Sequence, residues 1–423
     1  MLIEFKIGNF LSYDKPVSFS MVASARTEHE DDNTIILDGK VRLLKSAIIY
    51  GANASGKSNL FKAMNFMRHF VLNSSKETQA TEKIKVKGFR LSAVAPNKPS
   101  FFEIIFVNDN VRYKYGFETN SERVEKEWLF FAPKGKEALL FKRSNDTFEL
   151  GAQFKEGKEL ADKTRKNALF LSVVAQFNGS IAANILSWFK NFKIISGLDD
   201  NYRKFTVDKI KDPNFKPGIL KFLQIADLGI EDIDVERTKV NVGGMGIVKF
   251  PPEIQAMLNK AKSIVSEKVT TIHKKYGIDK KTYTLEQFGL DSEESNGTRQ
   301  LFALAGPILH VLKTGKVLVI DEFDARLHPL LIKFLIKLFN SKNNRNNAQL
   351  ICASHNTSAL NITLFRRDQI WFAEKNQYGA TDIYSLVDFK VRKDASFEKD
   401  YILGKYGAIP FVRGMEGLFE GDA

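Results

Sequence analysis

Residues Leu43–Met67 read LLKSAIIYGANASGKSNLFKAMNFM, and the order of residue types along this stretch decides the fold. Leu43 to Tyr50 is a short apolar run rich in Ile and closed by a glycine, the pattern of a buried parallel strand. From Ser58 onward, Leu60, Phe61, Met64 and Met67 recur at helical spacing. Between strand and helix, Gly51, Gly56, Lys57 and Ser58 satisfy G-x-x-x-x-G-K-[ST]. Small residues there let successive backbone N–H groups wrap a phosphate at a helix N-terminus. Gly51, Ala52, Asn53, Ala54, Ser55, Gly56, Lys57, Ser58 and Asn59 are therefore the expected nucleotide-binding residues, with Lys57 on the β- and γ-phosphates and Ser58 on Mg²⁺. The alternative is a plain glycine turn, and the strand-to-helix context argues against it.

A second segment supplies the other half of a phosphate site. KVLVIDEFDARLHPLL, residues 316–331, opens with a continuous apolar run of the kind buried on both faces of a parallel sheet and delivers Asp321 and Glu322 at its C-terminal end. Asp321 is the expected Mg²⁺ ligand, and Glu322, with no metal to bind, is the expected base that orients and deprotonates the attacking water. Upstream, EESNGTRQLFALAGPIL places Ser295, Gly297 and Thr298 at the start of an apolar helical run, a helix N-terminus suited to an anion. Downstream, AQLICASHN is another buried strand ending in His355, either a γ-phosphate sensor or a hydrogen-bonded core histidine. Asp324, Leu327 and His328 occupy the loop before an expected helix at Leu330 to Phe339.

Bulk properties narrow the setting. A chain of 423 residues with 43% hydrophobic and 27% charged content is long enough for two cores. Its apolar runs are too short for a membrane span, and MLIEFKIGNF alternates like a strand instead of a leader, so a cytoplasmic location is expected. The single cysteine, Cys352, lies in an apolar run and reads as a small buried thiol. The net charge of +13 is spread along the chain, with concentrations at Lys83–Arg90, Lys155–Lys166 and Lys274–Lys281. A solvated lysine-rich surface and a polyanion-binding face both account for it.

In order, these parts resemble the ABC ATPases: Walker A loop, signature helix, Walker B Asp-Glu, D-loop and switch histidine. The resemblance implies ATP and Mg²⁺ as cofactors and a head-to-tail dimer in which the signature helix of one copy caps the ATP held by the Walker loops of the other. By match, Ser295, Gly297 and Thr298 are the trans-acting signature, Asp324 and Leu327 the D-loop, and His355 the switch. ESNGT departs from the serine-glycine-glycine-glutamine run of transporters. Gln176, in ALFLSVVAQFNG, is either the glutamine that senses Mg²⁺ and the γ-phosphate or a helix-surface residue.

The expected fold class is α/β, an ABC-like P-loop NTPase with a mixed, largely parallel core sheet, an antiparallel β-lobe and a helical insert lobe. Ile84–Leu91, Phe101–Val107, Val111–Phe117 and Val124–Phe131 alternate as a meander. Residues 160–235 read as mostly helical, Glu253 to Tyr276 as one amphipathic helix, and VNVGGMGIVKFPP before it as a flexible or hairpin connection. The expected divisions are 1–150 for the N-terminal ATPase part, 151–285 for the insert and 286–423 for the C-terminal ATPase part.

FKIGNFLSYDKPVSFS is similar to the opening hairpin of RecF, SMC and overcoming-lysogeny ATPases. Within that branch, ESNGT, DEFDARLHP and the tail YILGKYGAIPFV look most like the stand-alone RloA- and AbiL-like ATPases of anti-phage operons. That likeness implies a separate effector, often a TOPRIM-type nuclease, and the residues after His355 offer no second acidic constellation for a nuclease within this chain. A RecF-like DNA-binding repair ATPase is the alternative function. A transporter ATPase is disfavoured by the signature and the long insert.

Overall fold

The computed structural model describes residues 1–37, 39, 41–77, 79–133, 135–199, 202–241, 263–392 and 395–410. The alternation at the N-terminus becomes β1 (Leu2–Gly8), which buries Leu2, Phe5 and Ile7 completely. It pairs antiparallel with β2 (Val17–Ser20), closing the expected opening hairpin. The chain then forms a short helix, α1 (Glu30–Asn33), and a small hairpin of β3 (Thr34–Ile36) and β4 (Arg42–Leu44). The decisive segment follows as β5 (Ser46–Tyr50), a loop, and α2 (Lys57–Asn73).

A meander comes next: β6 (Ser100–Asn108), β7 (Val111–Thr119), β8 (Val124–Ala132), β9 (Ala138–Ser144) and β10 (Thr147–Leu150). Asp109 and Asn110 make the tight β6–β7 turn with φ of 48° and 61°, the left-handed conformation that two-residue hairpins need. The seven strands are ordered β10-β9-β8-β7-β6-β1-β2. Ile84–Leu91, expected as a further strand, is not one. Its backbone meets only loops, Ile84 N donating to Ser121 O and Lys87 O accepting from Leu11 N, because β6 already has β7 and β1 on its two sides.

Two buried helices, α3 (Phe170–Gln176) and α4 (Ser180–Asn191), then cover the lobe. The strand β11 (Lys193–Ser196) joins a second sheet with β15 (Val317–Asp321), β16 (Gln349–Ala353), β17 (Ile370–Lys375) and β18 (Thr381–Ser385). The order is β11-β15-β16-β5-β17-β18, parallel throughout except for β18. All five residues of β5 and of β16 are buried, Cys352 among them, as strands covered on both faces must be. An apolar core runs between the two sheets through α2, from Phe5, Phe102 and Phe117 to Met64, Val319 and Ile351. Further along lie α8 (Pro329–Phe339), capped by the His328 side chain, and α9 (Phe397–Ile402).

The chain divides at 198 and 310, not at 150 and 285: Met1–Leu198 with Val311–Ala423 make the larger unit and Asp199–His310 the smaller. The smaller unit holds α5 (Arg203–Ile210), α6 (Lys216–Ile225) and the first part of α7 (Asn296–Thr314). It also holds an antiparallel sheet of β12 (Ile230–Asn241), β13 (Ser263–Tyr276) and β14 (Tyr283–Gly289). The insert is thus helical only in part. The helix expected over Glu253–Tyr276 is a strand over Ser263–Tyr276, because Ile264, Val265, Val269, Thr270, Thr271 and Ile272 are β-branched and stiff at χ1. The remainder of that expected helix, the glycine-rich connection beyond Asn241 and the tail beyond Pro410 lie outside the described residues.

Candidate functional site

The carboxyl ends of β5, β15, β16 and β17 open into one cavity of about 430 Å³, lined by residues 53–59 with Lys62, Asp321, Glu322, Ala353, His355 and Lys375. Ligands of open parallel sheets bind at such strand ends. The loop between β5 and α2 requires glycine at two positions. Gly56 has φ 109°, and a Cβ there would collide with the Thr381 hydroxyl, while one on Gly51 would collide with the Ala373 carbonyl. The loop is clamped from outside: Thr381 Oγ1 lies 2.8 Å from both the Ser55 carbonyl and Ser12 Oγ, Asn59 Nδ2 donates to Ser12 Oγ at 2.8 Å, and the Tyr13 hydroxyl donates to Gly56 O at 3.1 Å.

Lys57 is buried and folds back to donate to Gly51 O at 2.6 Å and Ala52 O at 3.0 Å. Burial pushes its ammonium down to about 8, against the upward pull of Asp321, Asp324 and Glu322. Ser55 Oγ is buried without a hydrogen-bond partner among the described residues. A charged amine held only by loop carbonyls, an orphan hydroxyl and the N-terminus of the 17-residue α2 together fit a bound polyphosphate.

Among the described residues no group of three or more His, Cys, Asp and Glu side chains is placed to hold a metal. Ser58 and Asp321 on the cavity wall instead match Mg²⁺, which takes one or two protein oxygens and completes its shell with phosphate and water. Glu322 sits beside Asp321 with φ 51°, a left-handed backbone that costs a non-glycine residue roughly 1–3 kcal/mol and is typical of functional sites. Three backbone bonds hold it there: Gly197 N to Asp321 O at 2.7 Å, Phe323 N to Ala353 O at 2.9 Å and Ala325 N to Glu322 O at 3.0 Å.

Asp324 Oδ2 accepts from His355 N at 3.0 Å and so ties the loop after β15 to the end of β16. The His355 residue is exposed and lines the cavity, so it is not a core histidine. Partial burial of its ring and the nearby Lys57 hold its imidazole below the usual value, with Asp324, Glu322 and Asp321 opposing.

Two groups of expected residues lie elsewhere. Gln176 is exposed at the last residue of α3 and is not part of the cavity wall. Ser295 caps α7, its hydroxyl accepting from Thr298 N at 3.1 Å and standing 2.9 Å from Thr298 Oγ1, with Gly297 in the first turn; all three belong to the smaller unit. The sequence reading missed Lys62, Lys375, Gly197 and the Ser12–Thr381 clamp. Lys62 was within reach, four residues and one helical turn beyond Ser58.

The family described as "AAA domain, putative AbiEii toxin, Type IV TA system" matches residues 46–361, most of the chain. The chain belongs to this AAA family. No curated protein matches it. Among solved structures, this AAA protein is similar to the SMC head domain from Thermotoga maritima, with 12% identity, TM-score 0.41, and 91% of this chain and 98% of that one covered. An SMC head bound to the C-terminal winged-helix domain of ScpA is 13% identical with TM-score 0.42, covering 95% and 99%. The recombination mediator RecF with ATP is 14% identical with TM-score 0.35, covering 85% and 94%. The AAA protein has a mixed α/β fold of parallel and antiparallel sheets, and among its described residues no single helix is long and apolar enough to cross a membrane.

Proposed function

We propose that this protein binds ATP with Mg²⁺ in the cavity at the parallel strand ends, hydrolyses it with Glu322 as base, and works as a nucleotide-dependent dimer. The observation that carries the reading is the convergence of Lys57, Ser58, Asp321, Glu322 and His355 on that one cavity from at or beyond the ends of three strands, β5, β15 and β16. The loop N–H groups and Lys57 hold the triphosphate; Glu322 takes a proton from the attacking water; His355 reads the γ-phosphate and, through its N–H on Asp324, passes its state to the D-loop. Bound Mg²⁺, held by Ser58 and Asp321, supplies neutralisation of the phosphate oxygens. Ser295, Gly297 and Thr298 serve the site of the partner copy.

In the cell the dimer acts in the cytoplasm as the sensing ATPase of an anti-phage system of the RloA- or AbiL-like kind, holding or releasing a separate effector such as a TOPRIM-type nuclease, with hydrolysis as the timer. The family's description as a putative toxin of a toxin–antitoxin system supports a defence setting. The test is turnover by the purified chain. Glu322→Gln should retain ATP affinity while hydrolysis slows by about 10²–10⁴. Lys57→Ala, with its fold intact, should lose binding. Wild-type turnover in both folded variants would remove the assignment.

A further inference from the structure

The hairpin that joins β13 to β14 in the smaller unit takes no part in the proposed ATP chemistry. Lys274–Tyr283 reads KKYGIDKKTY, four lysines, two tyrosines and one isoleucine against a single acid. That acid is spent on the turn. Asp279 accepts from Lys281 N at 3.0 Å, Thr282 N at 3.1 Å and the Thr282 hydroxyl at 2.8 Å, which hold its carboxyl below the usual range. Gly277 N donates to Thr282 O and Lys280 N to Gly277 O, so the tip is a built turn that presents its side chains in fixed order. Lys280 and Lys281 are exposed and make no ion pair among the described residues. Lys274 and Lys275 pair with Glu231 and Glu286 at 2.9 and 2.7 Å, solvent-accessible surface contacts worth little in water and readily exchanged for phosphate.

The apolar content of the same tip is out of place for a solvated loop. Ile278 at the apex is fully exposed, and Tyr276, Tyr283 and Leu285 are each more than half exposed. Tyr276 and Tyr283 face each other in register, with ring centroids 6.1 Å apart, and Lys274 Nζ stands 5.0 Å from the Tyr283 centroid. The two-residue period of a strand puts Lys274, Tyr276, Tyr283 and Leu285 on one face. An aromatic platform beside unpaired lysines matches a strand of nucleotides, whose bases stack while its phosphates meet ammonium groups. An acidic peptide would satisfy the charge but leave two flat rings without use.

We infer that this hairpin is a docking site for single-stranded nucleic acid, with Tyr276 and Tyr283 stacking on bases and Lys280 and Lys281 contacting phosphates. The inference is independent of the ATPase reading. It is tested by fluorescence anisotropy of the full chain with a labelled single strand of about 20 nucleotides, with the matching duplex, and with poly-glutamate as competitor, over a range of salt. Lys280→Gln combined with Lys281→Gln should weaken single-strand binding at least tenfold and reduce the salt slope by roughly 1.4, two contacts at about 0.7 each. Tyr276→Ser and Tyr283→Ser should each lower affinity about tenfold and leave the salt slope unchanged. The far-ultraviolet circular dichroism and the thermal unfolding midpoint should be unaltered in all of them, which reports that they fold. Wild-type affinity and slope in the lysine variant would overturn the site. Indifference of the tyrosine variants, equal affinity for duplex, or equal competition by poly-glutamate would overturn the single-strand assignment.

Discussion

Lys57 is a buried amine whose natural counter-charge is the ligand. Without nucleotide its pKa is pushed down to about 8 by burial, from an ordinary 10.5. The unfolded chain therefore binds more protons between those values, and the nucleotide-free protein should gain stability as pH rises through that window. Nucleotide binding has the opposite sign. A triphosphate favours the ammonium and raises the pKa, so above about pH 8 binding must take up a proton, and affinity should fall by up to about tenfold per pH unit. Calorimetry in buffers of different ionisation enthalpy at about pH 9, where ATP phosphates no longer titrate, should show close to one proton taken up. Zero uptake at that pH would mean that Lys57 is charged in both states. At this scale the sequence was most legible where chemistry dictates neighbouring residues: residues 53–59 and the Asp321–Glu322 pair are each contiguous and line one cavity. Ser12 and Thr381 meet the same loop, and Lys375 joins the cavity wall, from more than 40 residues away, and they leave no local pattern to read.

Among the elements, α3 depends on one buried carboxylate of a neighbouring strand. Glu127 of β8 accepts from Phe170 N at 2.7 Å and Leu171 N at 3.0 Å, so it serves as the anion at the N-terminus of α3, and it also accepts from the Tyr115 hydroxyl at 2.9 Å. Arg143, equally buried, stands 3.9 Å away and donates to Ala168 O at 2.7 Å. Burial pushes the Glu127 carboxyl up, while Arg143 and the three donors pull it back. Glu127→Ala would leave a phenol and two amides without their acceptor and the buried guanidinium without its counter-charge, and breaking a buried pair in this way costs about 3–5 kcal/mol. Glu127→Gln keeps an acceptor oxygen and should cost clearly less. Denaturant unfolding of the two variants checks this, and an alanine variant as stable as the wild type would show that α3 is held by its apolar face alone. No spacing rule links Glu127 to Phe170, 43 residues later, whereas the meander that carries Glu127 is written in strand alternation and an Asp-Asn turn. The misread element, Glu253–Tyr276, shows the converse: apolar positions compatible with a helical face were outweighed by six β-branched residues and by two strands available to pair.

For the whole molecule the open matter is whether the two halves of the chemistry belong to one copy or two. The larger unit contains Gly51–Ser58, Asp321, Glu322 and His355, and the smaller unit contains Ser295, Gly297 and Thr298 at the mouth of α7. The Ser295 hydroxyl caps its own helix through Thr298 N, and the proposal gives the first turn of α7 the role of an anion site for the partner copy. If that site completes the cavity of a second copy, Ser295→Arg should bind ATP with its intact Walker loops and still fail to turn over, because a bulky cation stands where the γ-phosphate must be met. Lys57→Ala should fail for the complementary reason. A mixed dimer then contains one composite site with a sound Walker loop from one subunit and a sound signature helix from the other, and one site with both defects. ATPase activity measured across mixing ratios should rise from two nearly inactive parents to a maximum near equal proportions, after subunit exchange has been demonstrated by labelling each variant. Activity no higher than either parent, despite exchange, would assign Ser295 and Lys57 to separate sites and remove the head-to-tail sandwich from this protein.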